Sequence, residues 1–489
     1  MTRLALEITG HFFPCRPDDS LSMPHFIIMF KITQLRNCGI NACTVVEKTF
    51  EYRNVFLTTT IKVTRRVRIT QKEEDIMGHN IGLDNRCDVV IVGGGIIGCT
   101  AAYYLAKKGF DVILLESGDL ACGATGHNIG YIFMHTRIPG PQLDLASATN
   151  QIVPNLPDEL DYDFELRQNG GMIYFDREAQ LPIMKEFVEQ RNKDGVTMQL
   201  LDNKEALEMA PVLPERTIGA TFCPLDSILN PTLYVRAFAN AARRHGARIR
   251  TGTEVISVNT DKSKVTGVKT AEGDIESKYV VLAAGGWTTQ LTEKLGLNLG
   301  IFSMRLQLMT TAPLKEKLLD KCLYGPDSAK QYKLFQDLPS YDDEAFRADY
   351  EWRYETLYLQ AANQMKAGNM LFGIPMDYPA SLEIANTADT RGVGVMVESM
   401  YSNFPALKNA VFDRAWGRVV PFTSDSLPVI DFVPEFEGLL VNSGHTFGNA
   451  TGPISGILTA EMIAGEKTSI DIAPYSLKRP ALETMAKAW

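Results

Sequence analysis

The sequence contains no paired cysteine motif. Its eight cysteines are scattered through 489 residues, and none of them forms a C-x-x-C pair. Structural zinc sites and disulfide frameworks depend on recurring cysteine spacings, so neither is expected. No set of His, Asp or Glu has metal-ligand spacing either, and we predict no metal site. Isolated reduced thiols are typical of a cytoplasmic protein, and the cytoplasm is the location we predict.

Long apolar runs and an excess of positive charge are also missing. No uninterrupted apolar stretch reaches the roughly 18 residues that a membrane-spanning helix needs, so we expect no transmembrane segment. The formal net charge is −9 at pH 7. An acidic chain is poorly suited to bind the phosphate backbone of a nucleic acid. We therefore expect no nucleic-acid partner.

The first 76 residues differ from the rest of the chain. Residues 1–76 show no sustained helical or strand periodicity, and the run KVTRRVR at 62–68 is basic in an otherwise acidic protein. Codons for the Lys-Glu-Glu sequence at 72–74 can form a bacterial ribosome-binding sequence at a suitable distance before Met77. We therefore predict an extension that is either disordered or not translated, with synthesis starting at Met77 in a bacterial source.

The clearest pattern is a glycine-rich turn between a strand and a helix. The apolar run from Asp88 to Val92 predicts a buried parallel strand, and G-x-G-x-x-G follows it at Gly93, Gly95 and Gly98. In a dinucleotide-binding turn the first glycine permits the sharp turn and the second admits the pyrophosphate. The third lets the helix pack closely on the sheet.

The residues after these glycines complete the pattern. A helix reaching about Lys108, with Ile97 in its first turn, offers unpaired N–H groups to the phosphates. The next strand, Asp111–Leu115, ends at Glu116, whose carboxylate can accept hydrogen bonds from ribose hydroxyls. The combination predicts a Rossmann-type dinucleotide-binding domain within an α/β fold, α+β overall. It does not distinguish FAD from NAD.

With this motif and three later blocks in the same order, the sequence resembles the amino-acid-oxidase-like (DAO) flavoproteins, which include glycine oxidase and sarcosine oxidase. The second block, ACGATGHNIGYI at 121–132, is similar to the small-residue loop of that family. The third block covers 227–258 and 279–287. The fourth covers 418–431 and 439–465, and it resembles the closing strand and helix that meet the flavin ring.

The resemblance implies FAD as the cofactor. The positions that it places at FAD are Gly93, Gly95, Ile97, Gly98, Glu116, Gly123, Ala124, Thr125, Gly126, Asn128, Val255, Ala284, Gly285, Gly444, His445 and Gly448. The monomeric sarcosine-oxidase branch carries a flavin-linking cysteine at the position of Arg418. The resemblance therefore implies non-covalent FAD by that route.

The resemblance also implies two domains. A discontinuous FAD-binding domain would comprise 86–166, 224–299 and 419–475. A substrate domain with a mostly antiparallel sheet would comprise 167–223 and 300–418, and 476–489 would form a C-terminal tail. Residues 321–358 are charged and rich in aromatics, which we interpret as a surface excursion in preference to a helical insertion near the site.

The implied reaction is oxidation of the C–N bond of a small amino acid or N-substituted amino acid to an imine, with hydride transfer to flavin. A carboxylate substrate favours an arginine, whose planar fork pairs bidentately. In the glycine-oxidase branch that arginine stands at the position of Val420, and Arg418 lies on the same face one pleat away. Arg418 is the first candidate, Arg137 the second, and His445 a third catalytic candidate for which hydrogen-bonded packing is the commoner role.

Two alternatives stay open on the sequence. The same nucleotide motif serves enzymes that oxidise a hydroxy acid or a polyol phosphate. Some relatives are flavin subunits that act only with a partner chain, so association into homo- or hetero-oligomers is also open.

Overall fold

A computed structural model describes residues 85–347, 357–379, 381–382 and 386–483. The predicted extension 1–76 and the predicted start at Met77 lie outside the described residues. Among the helices of the described part, none combines the length and the apolar character that crossing a bilayer requires.

The described residues form eighteen strands and ten α-helices. In chain order the strands are β1 (Arg86–Val92), β2 (Val112–Leu115), β3 (Tyr131–Ile132), β4 (Gly171–Phe175), β5 (Gln199–Asp202), β6 (Gly219–Cys223), β7 (Ser227–Ile228), β8 (Arg248–Arg250), β9 (Val255–Asp261), β10 (Lys264–Thr270), β11 (Gly273–Leu282), β12 (Phe302–Thr311), β13 (Cys322–Tyr324), β14 (Leu357–Gln364), β15 (Met370–Asp377), β16 (Phe412–Phe422), β17 (Val429–Phe432) and β18 (Leu439–Ser443). The α-helices are α1 (Ile96–Lys107), α2 (Pro141–Ile152), α3 (Leu156–Glu159), α4 (Leu181–Lys193), α5 (Asn203–Met209), α6 (Pro231–Arg244), α7 (Thr288–Glu293), α8 (Lys333–Gln336), α9 (Thr390–Asn403) and α10 (Gly448–Ala464).

The first sheet is a Rossmann-type sheet with an antiparallel extension. Its main path runs β17-β18-β11-β1-β2-β8, and β9 and β10 pair beside β11. The pairings of β1 with β11 and β2, and of β11 with β18, are parallel. All four residues of β2 are buried, as expected for a parallel sheet covered on both faces. The predicted dinucleotide-binding fold is confirmed.

The second sheet has the order β16-β12-β15-β14-β13-β4-β6-β5. Its pairings are antiparallel except that between β13 and β4. Strand β12 lies between β15 and β16, and seven of its ten residues are buried. This sheet is the mostly antiparallel layer expected for the substrate domain.

The structure corrects two details of the predicted organisation. Strand β16 pairs with β12 without interruption from Arg414 to Phe422, so the predicted boundary between 418 and 419 falls inside one strand. The predicted tail begins as packed chain, since Arg479 forms an ion pair with Asp425 and the Leu477 amide donates to Asp431.

A third correction concerns residues 321–358, of which 321–347 and 357–358 are described. Strand β13 is fully buried and pairs on both sides. Tyr332 and Phe335 are also buried. The predicted surface excursion is therefore wrong for this part, because these residues supply a central strand and core aromatics.

Candidate active site

A cavity of about 820 Å³ lies between the glycine-rich edge of the first sheet and one face of the second sheet. All predicted cofactor residues line this cavity except Gly98 and Gly126. Arg418 and Arg137 line it as well. Residues from four separate sequence blocks thus meet around one space.

The glycines of the first block divide into two roles. Gly93 has φ +114°, and a Cβ on it would lie 2.4 Å from the Ala283 carbonyl oxygen. A Cβ on Gly98 would lie 1.9 Å from the Gly93 carbonyl oxygen. Both glycines are therefore required by packing. Gly95 meets only the Thr125 hydroxyl at 3.2 Å and borders the cavity, where a ligand phosphate can approach its backbone.

Helix α1 points its N-terminus into the cavity. Gly95 is its N-cap, with no side-chain capping bond, and its first turn has no acidic residue. The amides of the first helical turn and the positive end of the helix dipole are suited to bind phosphate. The next loop closes over this end, because the Ile96 amide donates to the Thr125 hydroxyl at 3.2 Å. Gly126 belongs to the packing of that loop, where a Cβ would lie 2.2 Å from the Ala121 carbonyl oxygen.

Glu116 lies on the cavity wall at the end of the second strand, as predicted. Its carboxylate accepts hydrogen bonds from the amides of Gly94 at 2.7 Å and Gly118 at 2.8 Å. These bonds hold an anionic acceptor beside the phosphate-binding turn, where ribose hydroxyls would lie.

The Asn128 side chain forms hydrogen bonds within its own loop. It donates to the Thr125 carbonyl and accepts from the Gly130 amide. It shapes the loop at the cavity.

The last block brings a second helix N-terminus to the same cavity. Helix α10 begins at Gly448, and its N-cap residue Phe447 makes no side-chain capping bond. Gly444 has φ +79° and turns the chain from β18 towards the helix. Ala284 and Gly285 line the cavity nearby in the chain turn after β11. Such a site can stabilise negative charge on a bound ring as well as on phosphates.

His445 is buried and bonded through both ring nitrogens. Nδ1 lies 2.7 Å from the Thr451 hydroxyl and Nε2 lies 2.7 Å from Asn442 Oδ1. Since the Asn442 amide nitrogen donates elsewhere, its oxygen accepts from Nε2–H, and Nδ1 accepts from Thr451. Burial lowers the pKa of His445 to about 3. The imidazole is neutral and positions the loop before α10, which makes it a poor proton-transfer group.

Arg418 lines the cavity beside the small-residue loop. Its guanidinium donates to the carbonyl oxygens of Cys122 at 3.3 Å and Asn386 at 2.9 Å. It also donates to His127 Nε2 at 3.1 Å, so the His127 proton lies on Nδ1, which donates to the Gly123 carbonyl. Arg418 therefore joins β16 to the small-residue loop and to the segment before α9. Its N–H donors are largely occupied.

Arg137 is the more available guanidinium. It is only 2% exposed, and Nε donates to the Phe133 carbonyl at 2.8 Å. Its Nη1 is buried and has no hydrogen-bond partner within the described residues. Burial lowers the pKa of Arg137, but a guanidinium keeps its proton in proteins. A buried cation with an unused donor on a cavity wall is suited to bind an anion.

The two arginines lie near different strands of the second sheet. Arg418 is on β16, whereas Arg137 is close to Tyr324 of β13 and to Tyr332. Strands β16 and β13 are four positions apart in the sheet, or roughly 19 Å at about 4.8 Å per strand. We therefore treat the two arginines as separate candidates for the carboxylate.

Several lining residues were not predicted from the sequence. They are the aromatics Phe133, Tyr324, Tyr332 and Phe447 and the aliphatic residues Leu306, Leu308, Leu359, Ile374 and Met376. The alternation of apolar residues along Phe302–Thr311 would have placed Leu306 and Leu308 on one face. Nothing local marks Tyr324 or Tyr332, because their position depends on pairing between distant strands.

One cluster of potential metal ligands appears that spacing did not indicate. His135, Cys223 and Asp226 are buried with their ligand atoms within 4.8 Å of one another. Asp226 accepts hydrogen bonds from the Met134 amide at 2.6 Å and from His135 Nδ1 at 3.1 Å. His135 Nε2 bonds to Thr221 at 2.7 Å. These hydrogen bonds connect β6 to the loop after β3, and they give the cluster a structural role.

A nucleotide-binding parallel sheet, two helix N-termini on one cavity and an antiparallel sheet that lines the same cavity are the features of an FAD-dependent oxidoreductase. The residues present fit FAD. The glycine-rich turn has room for a pyrophosphate, Glu116 can accept hydrogen bonds from the ribose hydroxyls, and the N-terminus of α10 can stabilise negative charge on the flavin ring. The family model for DAO, FAD dependent oxidoreductase, matches residues 88–462. The chain belongs to this family, and the prediction from sequence is confirmed.

Characterised relatives span the same region. The chain is 27% identical over 406 residues to glycine oxidase of Geobacillus kaustophilus, covering 81% of this chain and 98% of that protein. It is 29% identical over 405 residues to sarcosine oxidase subunit beta of an Arthrobacter species, covering 80% and 90%. The crystal structure of the Geobacillus glycine oxidase superposes with a TM-score of 0.69 at 25% identity, covering 81% and 99%.

Proposed function

We propose that this protein oxidises the C–N bond of an amino acid or N-substituted amino acid, and that Arg137 binds the substrate carboxylate. The observation that carries the proposal is the buried Nη1 of Arg137, which lacks an acceptor among the described residues. A carboxylate would supply that acceptor through a charge-assisted hydrogen bond. A simple amine would leave it unpaired, at a cost of about 1–3 kcal/mol.

The chemistry needs little from the protein beyond positioning. When bound, FAD supplies the two-electron acceptor that takes the Cα hydrogen with its electron pair, while the nitrogen lone pair forms the C=N bond. A substrate that enters as the neutral amine gives an iminium without a protein base. Water then hydrolyses this product to a carbonyl compound and ammonia or a primary amine. His445 and His127 are tied into loops by both ring nitrogens, which agrees with a site that lacks a dedicated base.

Arg418 has a different task in this proposal. Its bonds to Cys122 and Asn386 join the cofactor loop to the segment before α9. We therefore assign it to holding the cavity rim, and the carboxylate to Arg137. This reverses the order of the two candidates that the family pattern suggested.

The test is an anaerobic titration of the FAD-bound full-length protein with amino acids, N-methyl amino acids, hydroxy acids and polyol phosphates. We expect an amino acid to bleach the flavin absorbance at about 450 nm and to release ammonia or a primary amine. Bleaching only by a hydroxy acid or a polyol phosphate would overturn the proposal. A flavin that no compound reduces would favour a subunit that requires a partner chain.

A further inference from the structure

The floor of the cavity between the two arginines is apolar. It is formed by side chains from three adjacent strands of the second sheet, namely Leu306 and Leu308 of β12, Ile374 and Met376 of β15, and Leu359 of β14. Leu308, Met376, Leu359 and Ile374 are each at most 7% exposed. Within the described residues of this floor, no side chain carries a charge.

The wall around Arg137 is aromatic. Phe133 and Tyr324 pack edge to face with ring centroids 4.5 Å apart, and Tyr324 contacts Tyr332 in the same way at 6.3 Å. The Phe447 ring lies against the guanidinium. A ligand whose carboxylate pairs with Arg137 therefore has its remaining atoms beside aromatic rings and the aliphatic floor.

A substrate as small as glycine would make little use of this surface. Glycine has no side-chain carbon, and sarcosine adds only one methyl group. Each buried methylene contributes about 0.8 kcal/mol when it leaves water, so a larger apolar group would gain several times more. Water that covered five aliphatic side chains would find few hydrogen-bond partners there.

We propose that the substrate is an α-amino acid with a bulky apolar substituent, which lies on the floor formed by Leu306, Leu308, Leu359, Ile374 and Met376 while its carboxylate pairs with Arg137. The inference rests on the proposed function and departs from the small substrate that the family resemblance implies. The substituent is either the side chain, as in leucine or phenylalanine, or a group on nitrogen, as in N-benzylglycine.

The experiment measures anaerobic reduction of the FAD-bound full chain by glycine, sarcosine, both enantiomers of leucine and of phenylalanine, and N-benzylglycine. The quantity compared is the second-order rate constant of flavin reduction. We expect it to be at least about a hundredfold higher for a bulky compound than for glycine, because each methylene in a fitted pocket raises it tenfold or more. The enantiomers and N-benzylglycine distinguish a side-chain substituent from a nitrogen substituent.

A pair of matched variants locates the effect. Leu359→Phe fills part of the floor and should lower the ratio of bulky-substrate to glycine efficiency at least about tenfold. Leu357→Phe makes the same change two residues earlier on β14, where the side chain is 41% exposed, and should leave the ratio unchanged. Flavin content and thermal unfolding of both variants show that each one folds.

The outcomes separate the two proposals. Glycine or sarcosine reducing the flavin as efficiently as the bulky compounds would overturn the inference and leave the proposed function standing. An unchanged ratio in Leu359→Phe would also overturn it. If no amino acid of any size reduces the flavin, both the proposed function and the inference are wrong.

Discussion

The guanidinium carbon of Arg137 lies 3.3 Å from the centroid of the Phe447 ring. Phe447 directly precedes the first residue of α10, so this contact joins the loop after β3 to the helix N-terminus that borders the cofactor site. A desolvated cation–π contact contributes about 2 kcal/mol. The residue that we assign to the substrate carboxylate is therefore held against the element that we assign to the flavin ring.

This contact predicts energetic coupling between the two residues. In a double-mutant cycle with Arg137→Met and Phe447→Leu, we expect a coupling of about 1–2 kcal/mol in the free energy of unfolding of the flavin-free protein. Urea denaturation of the four proteins measures it. If the two single effects add within about 0.5 kcal/mol, the contact contributes nothing to stability.

Arg137→Met should remove recognition of the carboxylate. For leucine, kcat/KM should fall about 10- to 150-fold, which corresponds to the 1.5–3 kcal/mol of a charged hydrogen bond. For 3-methylbutylamine, which is leucine without its carboxylate, kcat/KM should not fall. Arg418→Met is the matched control, and its effect on the two compounds should be equal. Selective loss of leucine activity in Arg418→Met, with none in Arg137→Met, would return the role to Arg418.

His445 predicts a pH dependence of stability. Its pKa is lowered in the folded protein from 6.5 to about 3, so below pH 6.5 protons bind preferentially to the unfolded chain. The contribution of neutral His445 to the free energy of unfolding is complete above about pH 6.5. It declines by up to about 1.4 kcal/mol per pH unit as the pH falls towards 3. His445→Gln keeps a donor and an acceptor but does not titrate.

Thermal unfolding of both proteins between pH 7 and pH 4.5 tests this prediction. The melting temperature of the unaltered protein should fall more steeply than that of His445→Gln. His127 and His135 have pKa values lowered in the same direction, and their effect is common to both proteins. Parallel curves would show that His445 does not remain neutral in the folded state over this range.

Two alanine substitutions in the glycine-rich turn should have different consequences. In Gly98→Ala the new Cβ would lie 1.9 Å from a backbone oxygen, so we expect a loss of stability of at least about 1–3 kcal/mol. In Gly95→Ala it would meet only a hydroxyl at 3.2 Å, so the fold should persist while FAD binding weakens. Flavin content and the melting temperature of the flavin-free forms separate the effects. Equal destabilisation by both changes would argue against a cofactor role for Gly95.

The cofactor half of the site was predictable because its signals are local. The spacing of Gly93, Gly95 and Gly98 and the position of Glu116 after the next strand depend only on a strand, a turn and a helix that adjoin in sequence. Those residues occupy the expected positions in the structure. Gly98 is required by packing, as its place in the motif predicts. Gly126 is also required by packing, although the resemblance placed both glycines at FAD, and neither borders the cavity.

The substrate half was less predictable because it depends on long-range pairing. Tyr324 reaches the cavity because β13 pairs with β14 and β4, and no local pattern around it indicates this. The choice between Arg137 and Arg418 depends on which guanidinium finds acceptors after folding. Cys122 and Asn386 supply them to Arg418, although they lie 296 and 32 residues away in sequence.

Helix α10 rests on helix α1, where the Thr100 hydroxyl lies 3.0 Å from the Gly452 carbonyl oxygen across 352 residues of sequence. The two helix N-termini that face the cavity are therefore synthesised at well-separated times. A nascent chain still lacking α10 holds the phosphate-binding turn without the wall for the ring. The wall for the ring therefore forms only after α10 has been synthesised and has packed on α1.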